Sequence, residues 1–235
     1  MSMSELGFTV SIARHGAELR EVCALRATAY GHHLPALARA LAEPDAADHQ
    51  RGTVVLVCRD KASSEVIGTA RLQRNGARPL PIEASVALPP ALAALPRGEI
   101  TRLAIRAGAD ALVRPMLVKA CYLAAVASQT RLLVIGARSP GLVRIYRGLG
   151  FSDLLGDGLQ VPLAHAGGLP HSVLSFDVVA AERHWCEQRH PLYGFMVETW
   201  HPDLQLLANP RKKRRCPGRR CARRPDGSRP SATRG

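Results

Sequence analysis

The sequence predicts an α/β fold in which one mixed sheet of six or seven strands is flanked by helices. Three observations carry that reading. Apolar, strand-like runs alternate along the chain with segments of helical periodicity. Two of those runs, residues 53–58 and 66–73, are separated only by a polar turn and so form a hairpin. Neither a Walker loop nor a Gly-x-Gly-x-x-Gly sequence follows any strand, which sets the nucleotide-binding α/β folds aside.

The elements follow in order. Residues 8–13 alternate as a short strand, and residues 17–30 follow as an amphipathic helix with Leu19, Val22, Cys23 and Arg26 on one face. Residues 31–52, rich in Ala, Pro, Asp and His, read as irregular. The continuous apolar run 53–58 suits a strand buried on both faces. The proline-rich excursion 75–97 is too long for a turn and reads as a loop beside a substrate site. A strand over 99–105 is broken at Gly108, and 111–129 forms the longest helix, with Pro115 tolerated in its first turn. After an apolar strand over 131–137, Ser139 and Pro140 supply the N-cap and first-turn signals of a helix that stops at Gly148 and Gly150. Residues 159–163 and 172–178 read as strands, 179–188 as a helix and 191–197 as an aromatic segment packed on the body.

The chain has 235 residues and 46% hydrophobic content, enough for one full core. The expected organisation is one domain over residues 1–210 and a disordered basic tail over 211–235. The formal charge of +13 is concentrated in that tail, which holds eleven Lys or Arg against one acidic residue. The remaining 21 basic and 18 acidic residues leave the body at +3. Nucleic-acid contact is therefore expected, if at all, through the tail and without sequence preference. With no long uncharged apolar run and no basic-then-apolar N-terminus, the expectation is a cytoplasmic protein with no membrane span. Of the six cysteines, Cys23, Cys58 and Cys121 lie in apolar segments, Cys216 and Cys221 in the tail, and none forms a Cys-x-x-Cys pair. His184 and His190 stand six apart rather than four, so no metal site is expected there.

Polar residues gather at element ends: Arg26 and Tyr30 on the first helix, Asp45 and Asp48 after it, Arg71 on the hairpin, Glu99 and Arg102 on the central strand, and Tyr146 before the glycines. A carboxylate and a guanidinium together suit proton removal from an amine and the binding of an acidic group. A buried ion-pair network would use the same residues. On a regular strand residues 99 and 102 face opposite sides, so a joint role requires a bulge.

Taken in chain order, the arginine and aromatic four apart, the acidic pair three apart, Gly68-Thr69-Ala70-Arg71-Leu72 and Glu99-Ile100-Thr101-Arg102-Leu103 resemble the acyl-homoserine-lactone synthases. The chain is more similar still to the N-acyl amino acid synthases. That resemblance extends to the ending from Tyr146 to Phe151, to His190-Pro191-Leu192-Tyr193 and to His201-Pro202-Asp203, and covers about residues 17–204. It implies the fold of the GNAT superfamily, a bulge in the Glu99 strand, and transfer of a fatty acyl group from acyl carrier protein to an amine. The amine is an amino acid in one family and S-adenosylmethionine in the other.

The resemblance further implies Glu99, Arg102 and Tyr146 as the catalytic set. Glu99 would act as general base directly or through water, and Tyr146 as proton donor to the departing thiolate. Arg26, Tyr30, Asp45, Asp48, Arg71 and Leu103 would bind substrate. Asp45 and Asp48 order the loop over the amine, while Arg71 and Arg102 bind a carboxylate or brace the acidic pair. A main-chain N–H near Leu103 or Ala104 holds the thioester oxygen. No tightly bound cofactor is implied, the acyl thioester being a cosubstrate.

Where the lactone synthases carry a tryptophan this chain has Gly31-His32-His33-Leu34, which points away from S-adenosylmethionine. The loop Arg106-Ala107-Gly108-Ala109-Asp110-Ala111 lacks the glycine register that brings amides to a pyrophosphate, and Asp110 adds a wrong-signed charge, so a carrier protein is preferred to coenzyme A. Arg106, Arg114, Lys119, Arg144 and Arg147 are expected to form a basic rim facing it. Leu112, Met116, Val118 and residues 132–134 are expected in the acyl tunnel or in the core, and His32, His33 and His49 at the surface or as further proton-transfer groups.

Overall fold

The computed structural model describes residues 2–31, 34–76 and 78–206; His32, His33 and the basic tail 211–235 lie outside them. In chain order the elements are β1 (Ser2–Met3), β2 (Phe8–Ile12), α1 (Gly16–Gly31), α2 (Pro35–Ala40), β3 (Thr53–Asp60), β4 (Val66–Arg74), a 3-10 turn (Pro81–Ala84), α3 (Pro90–Ala93), β5 (Arg97–Ile105) and α4 (Val113–Ala127). There follow β6 (Leu132–Ala137), α5 (Pro140–Gly148), β7 (Ser152–Asp153), β8 (Val161–Leu163), a second 3-10 turn (Ala164–Ala166), β9 (Leu169–Asp177), α6 (Ala181–Glu187), a π-helical turn (Gly194–Glu198), β10 (Thr199–Trp200) and β11 (Leu204–Gln205).

The sheet runs β11-β2-β3-β4-β5-β6-β9-β7, with β8 added against β9, while β1 and β10 pair separately. β2 through β5 form an antiparallel meander, and β6 lies parallel to β5 because α4 carries the chain back across the sheet. The six long strands match the expected sheet. β8 falls within the strand expected over 159–163, and β7 and β11, of two residues each and too short to show an alternation in sequence, bring the sheet to nine.

Both faces of β3 are covered, as its continuous apolar run requires. Val55 and Val57 pack with Leu19 and Val22 of α1, whereas Leu56 and Cys58 join the main core with Met116, Leu117, Ala120 and Cys121 of α4. Met116, Val118, Leu132, Leu133 and Val134 are thus core residues, and Leu112 is 43% exposed, so these positions do not form an acyl tunnel. Cys23, Cys58 and Cys121 are buried free thiols, and burial pushes Cys58 and Cys121 up to about 12. Ser139 caps α5 by accepting the Leu142 N–H at 3.3 Å, and Gly150 ends the turn at φ +94°, open only to a residue without Cβ strain.

Two segments read as irregular are more ordered. Residues 31–52 contain α2, whose Pro35 sits at the first helical position. The excursion 75–97 carries a 3-10 turn and α3, both started by proline, and buries Leu80, Ile82 and Val86 against Leu132, Val134, Leu163 and Val173. It forms a second small core under the sheet rather than an open loop.

Candidate active site

Pairing of β5 with β6 begins at Arg97 opposite Leu132 and ends at Ile100 opposite Ile135, although β5 continues to Ile105. Beyond Ile100 the β6-facing edge of β5 has no ladder partner among the described residues. The strands part there, and the wedge between them opens into a cleft of about 530 Å³. Its walls include Tyr30, Glu99, residues 100–105, Arg114, Tyr146 and His165.

The bulge is present. Between the pairs Thr69–Ala104 and Arg71–Thr101 one residue of β4, Ala70, faces two of β5, Arg102 and Leu103, and Arg102 adopts φ +53°. The extra residue shifts the pleat by one, so Glu99 and Arg102 line the same cleft instead of opposite faces. Burial, followed by the nearby Arg71 charge, pushes the Arg102 guanidinium down. Its Nε is buried without a hydrogen-bond partner among the described residues.

Arg26 and Tyr30 are one helical turn apart on α1, which directs both toward β5. Arg26 is 1% exposed and donates from Nη1 to both carboxylate oxygens of Asp48 at 3.0 Å, leaving Nε and Nη2 without partners among the described residues. Arg71, 3% exposed, donates to Asp45 at 2.8 Å, to Asp48 at 3.3 Å and from Nε to Thr101 at 3.1 Å. Arg71 is therefore engaged in bracing the acidic pair, and Asp48 is buried rather than solvated. Burial acts to raise Asp45, but the Arg71 hydrogen bond and charge outweigh it and leave its carboxyl below the ordinary range. Tyr30 donates to the Leu103 carbonyl at 3.5 Å and is pushed up by burial. Tyr146, pushed up to about 12 chiefly by burial, packs on Phe151 with ring centroids 5.9 Å apart.

Glu99 is 1% exposed. Its Oε2 accepts the Ile82 N–H at 2.8 Å, and its Oε1 lies 3.0 Å from His165 Nε2. The sequence reading passed over His165, and no local pattern separates it from His171, His184 or His190. It reaches Glu99 because the turn Ala164–Ala166 packs beside the turn Pro81–Ala84, with the Ala164 N–H donating to Ser85 Oγ at 2.9 Å.

The expected basic rim is only partly free. Lys119 is buried, donating to the carbonyls of Phe195 at 2.5 Å and Thr199 at 2.8 Å, and burial pushes it down to about 8. It clasps the C-terminal segment. Arg106 pairs with Glu65, and Arg147 with Asp153 and Asp157. Arg138 and Arg114 line the cleft, and Arg144 is exposed on α5. Asp110 accepts the Leu112 N–H at 2.8 Å, placing a carboxylate just ahead of α4. His49 is exposed in the loop beside Asp48. Among the described residues no group of three or more His, Cys, Asp and Glu side chains is arranged to hold a metal ion, and no helix is long and apolar enough to cross a membrane.

No family model matches the sequence, and no curated protein matches it. Solved structures do. FeeM, an N-acyl amino acid synthase from uncultured soil microbes, superposes with TM-score 0.60 at 15% identity, covering 80% of this chain and 98% of that one. The CoA-dependent acyl-homoserine lactone synthase BjaI, solved with SAM and isopentyl-CoA, gives 0.56 at 15% identity over 83% and 93%. A GNAT-family acetyltransferase from Staphylococcus aureus Mu50 gives 0.51 at 10% identity over 73% and 99%. At these identities the likeness is one of fold: this chain has the fold of FeeM, BjaI and the GNAT-family acetyltransferase, a mixed sheet flanked by helices.

Proposed function

We propose that this protein is an N-acyltransferase that moves a fatty acyl group from an acyl carrier protein thioester to the amino group of an amino acid or similar small amine. The observation that carries the reading is the cleft between β5 and β6, lined by a buried carboxylate, Glu99, and by a guanidinium, Arg102, whose Nε has no partner among the described residues. Arg102, Arg114 and Arg138 line the cleft with one carboxylate, Glu99, so it retains positive charge, and the Arg102 Nε is a donor without a partner among the described residues. An acceptor carboxylate matches that surplus, since buried donors without partners favour an anion.

The unpaired edge of β5 near Leu103 supplies main-chain N–H groups for the thioester oxygen, where negative charge develops during attack. Leu34, Leu37, Ile105, Ile135, Leu142 and Leu163 give the cleft an apolar side for the acyl chain. Tyr146, held protonated by burial, is placed to return a proton to the thiolate. For the donor, the Asp110 carboxylate ahead of α4 disfavours a pyrophosphate there, while Arg138 and Arg144 suit an acidic carrier.

The test is single-turnover transfer to a panel of amino acids from carrier-bound and CoA-bound donors of equal chain length. Faster transfer from the carrier, slowing as salt rises, is the expected result. Equal or better transfer from CoA with no salt effect on the carrier reaction returns the chain to an acyl-CoA-dependent reading, the chemistry named for BjaI. No transfer from either donor refutes the acyltransferase reading.

A further inference from the structure

We infer that the group taking the proton from the attacking amine is His165, and that Glu99 acts through it as a positioning residue. The inference rests on the acyl-transfer reading above. Glu99 is 1% exposed and each of its oxygens already has a partner, the Ile82 N–H on Oε2 and the His165 ring on Oε1, whereas the His165 side chain is 19% exposed. Two 3-10 turns grip the carboxylate from different parts of the chain: Pro81–Ala84 through the Ile82 N–H, and Ala164–Ala166 through the His165 ring.

An ionised carboxylate only accepts hydrogen bonds, so the Nε2 that faces Glu99 carries the hydrogen. The other nitrogen, Nδ1, then holds a lone pair, and it has no partner among the described residues. The ring forms part of the cleft wall and is 19% exposed. A buried acceptor left without a donor is unfavourable, and the N–H of an amine seated in the cleft supplies that donor. The neighbouring His171, whose Nδ1 donates to the Leu169 carbonyl at 2.7 Å, has no carboxylate partner among the described residues, whereas His165 is paired with Glu99. Carboxylate, imidazole and reacting group in series fix both the tautomer and the ring orientation of the base.

In the step itself the amine nitrogen forms a C–N bond to the thioester carbonyl carbon and its proton passes to His165 Nδ1, while the C–S bond breaks with its electron pair on sulfur. The thiolate takes a proton from Tyr146. The imidazolium, stabilised by Glu99, returns its proton through solvent to the tyrosinate and restores the site.

The experiment combines histidine ¹⁵N NMR of the full chain with kinetics of two variants. The signal that disappears in His165→Gln is expected to report an Nε2–H tautomer; an Nδ1–H tautomer overturns the assignment whatever the activity. His165→Ala and His165→Gln are each expected to slow single-turnover transfer by about a hundredfold, with the amine KM little changed. Added imidazole is expected to restore His165→Ala at least in part. A Gln variant at the wild-type rate, or a folded Ala variant that imidazole does not rescue, overturns the base role. If the wild-type protein shows the expected tautomer but transfers no acyl group to any amine, the acyltransferase reading fails and the base role with it; the Nδ1–H tautomer sinks the base role alone.

Discussion

Replacing Asp48 by alanine tests whether the arginines beside the cleft are held by a buried network or by solvent. The Asp48 side chain is 1% exposed and accepts from Arg26 Nη1 at 3.0 Å on both oxygens, from Arg71 Nη1 at 3.3 Å and from the Asp45 N–H at 3.2 Å. Removing it leaves two guanidiniums, 1% and 3% exposed, with only Asp45 between them and solvent. Breaking one partner of a buried ion pair costs about 3–5 kcal/mol, because the other charge stays desolvated. Asp45 is 36% exposed and Arg71 keeps Asp48 in its absence, so Asp45→Ala should cost about 1 kcal/mol or less. The exposed Glu65 that pairs with Arg106 provides the control, Glu65→Ala, at well under ~1 kcal/mol.

Urea unfolding followed by circular dichroism reads the difference. With an m-value of about 2–3 kcal/mol/M, Asp48→Ala should lower the midpoint by roughly 1–2 M while Glu65→Ala barely moves it. The double variant Arg26→Met/Asp48→Leu should recover much of the loss, since it removes the stranded charge as well as the pair. A midpoint for Asp48→Ala equal to that of the Glu65→Ala control would refute the buried-network argument.

Other perturbations read other parts of the molecule. A Cβ on Gly136 would lie 2.9 Å from Leu163 Cδ1 and 3.4 Å from His171 Cδ2, both on cleft residues. Gly136→Ala should therefore cost about 1–3 kcal/mol by overpacking and impair long acyl donors more than short ones; equal kinetics for both lengths would place the acyl chain elsewhere. Glu83 is held below the ordinary carboxyl range first by its hydrogen bond from Arg97, so its stabilisation is present above the unfolded value of about 4.3 and is lost as pH falls through the lower folded value. Stability measured from pH 7 to 3 should fall less steeply in Glu83→Gln than in the wild type; parallel curves would count against the linkage. Glu99→Gln should slow acyl transfer by about a hundredfold with cooperative unfolding retained, and unchanged turnover would remove Glu99 from the proton path. Deleting residues 211–235 removes ten of the thirteen net positive charges, so it should abolish salt-sensitive retention on nucleic acid and spare acyl transfer. Retention by the truncated protein would locate that binding on the body.

Much of the fold was legible in the sequence, because the signals that report it are local. The two-sided apolar run of β3, Pro115 in the first turn of α4, and Ser139 with Pro140 at the start of α5 each act within one element, and each appears at the expected place. Residues 75–97 were harder. Proline and short apolar clusters do not reveal whether a segment is open or packed, and the burial of Leu80, Ile82 and Val86 depends on Leu132, Val134, Leu163 and Val173 from distant strands.

The site divides along the same line. Arg26, Tyr30, Asp45, Asp48, Arg71, Glu99 and Arg102 were identifiable by residue type and spacing, since a family-like order of charged residues on strands survives without any structure. Which charge meets which was decided only by folding. Arg71 is engaged by Asp45 and Asp48, and Lys119 turns inward to clasp the C-terminal segment, because three-dimensional proximity rather than sequence distance sets the Coulomb and desolvation terms. His165 had no local signal. It faces Glu99, 66 positions earlier, only because β8 and β9 bring one turn beside another, and a long-range contact of that kind leaves no periodicity in the chain that makes it.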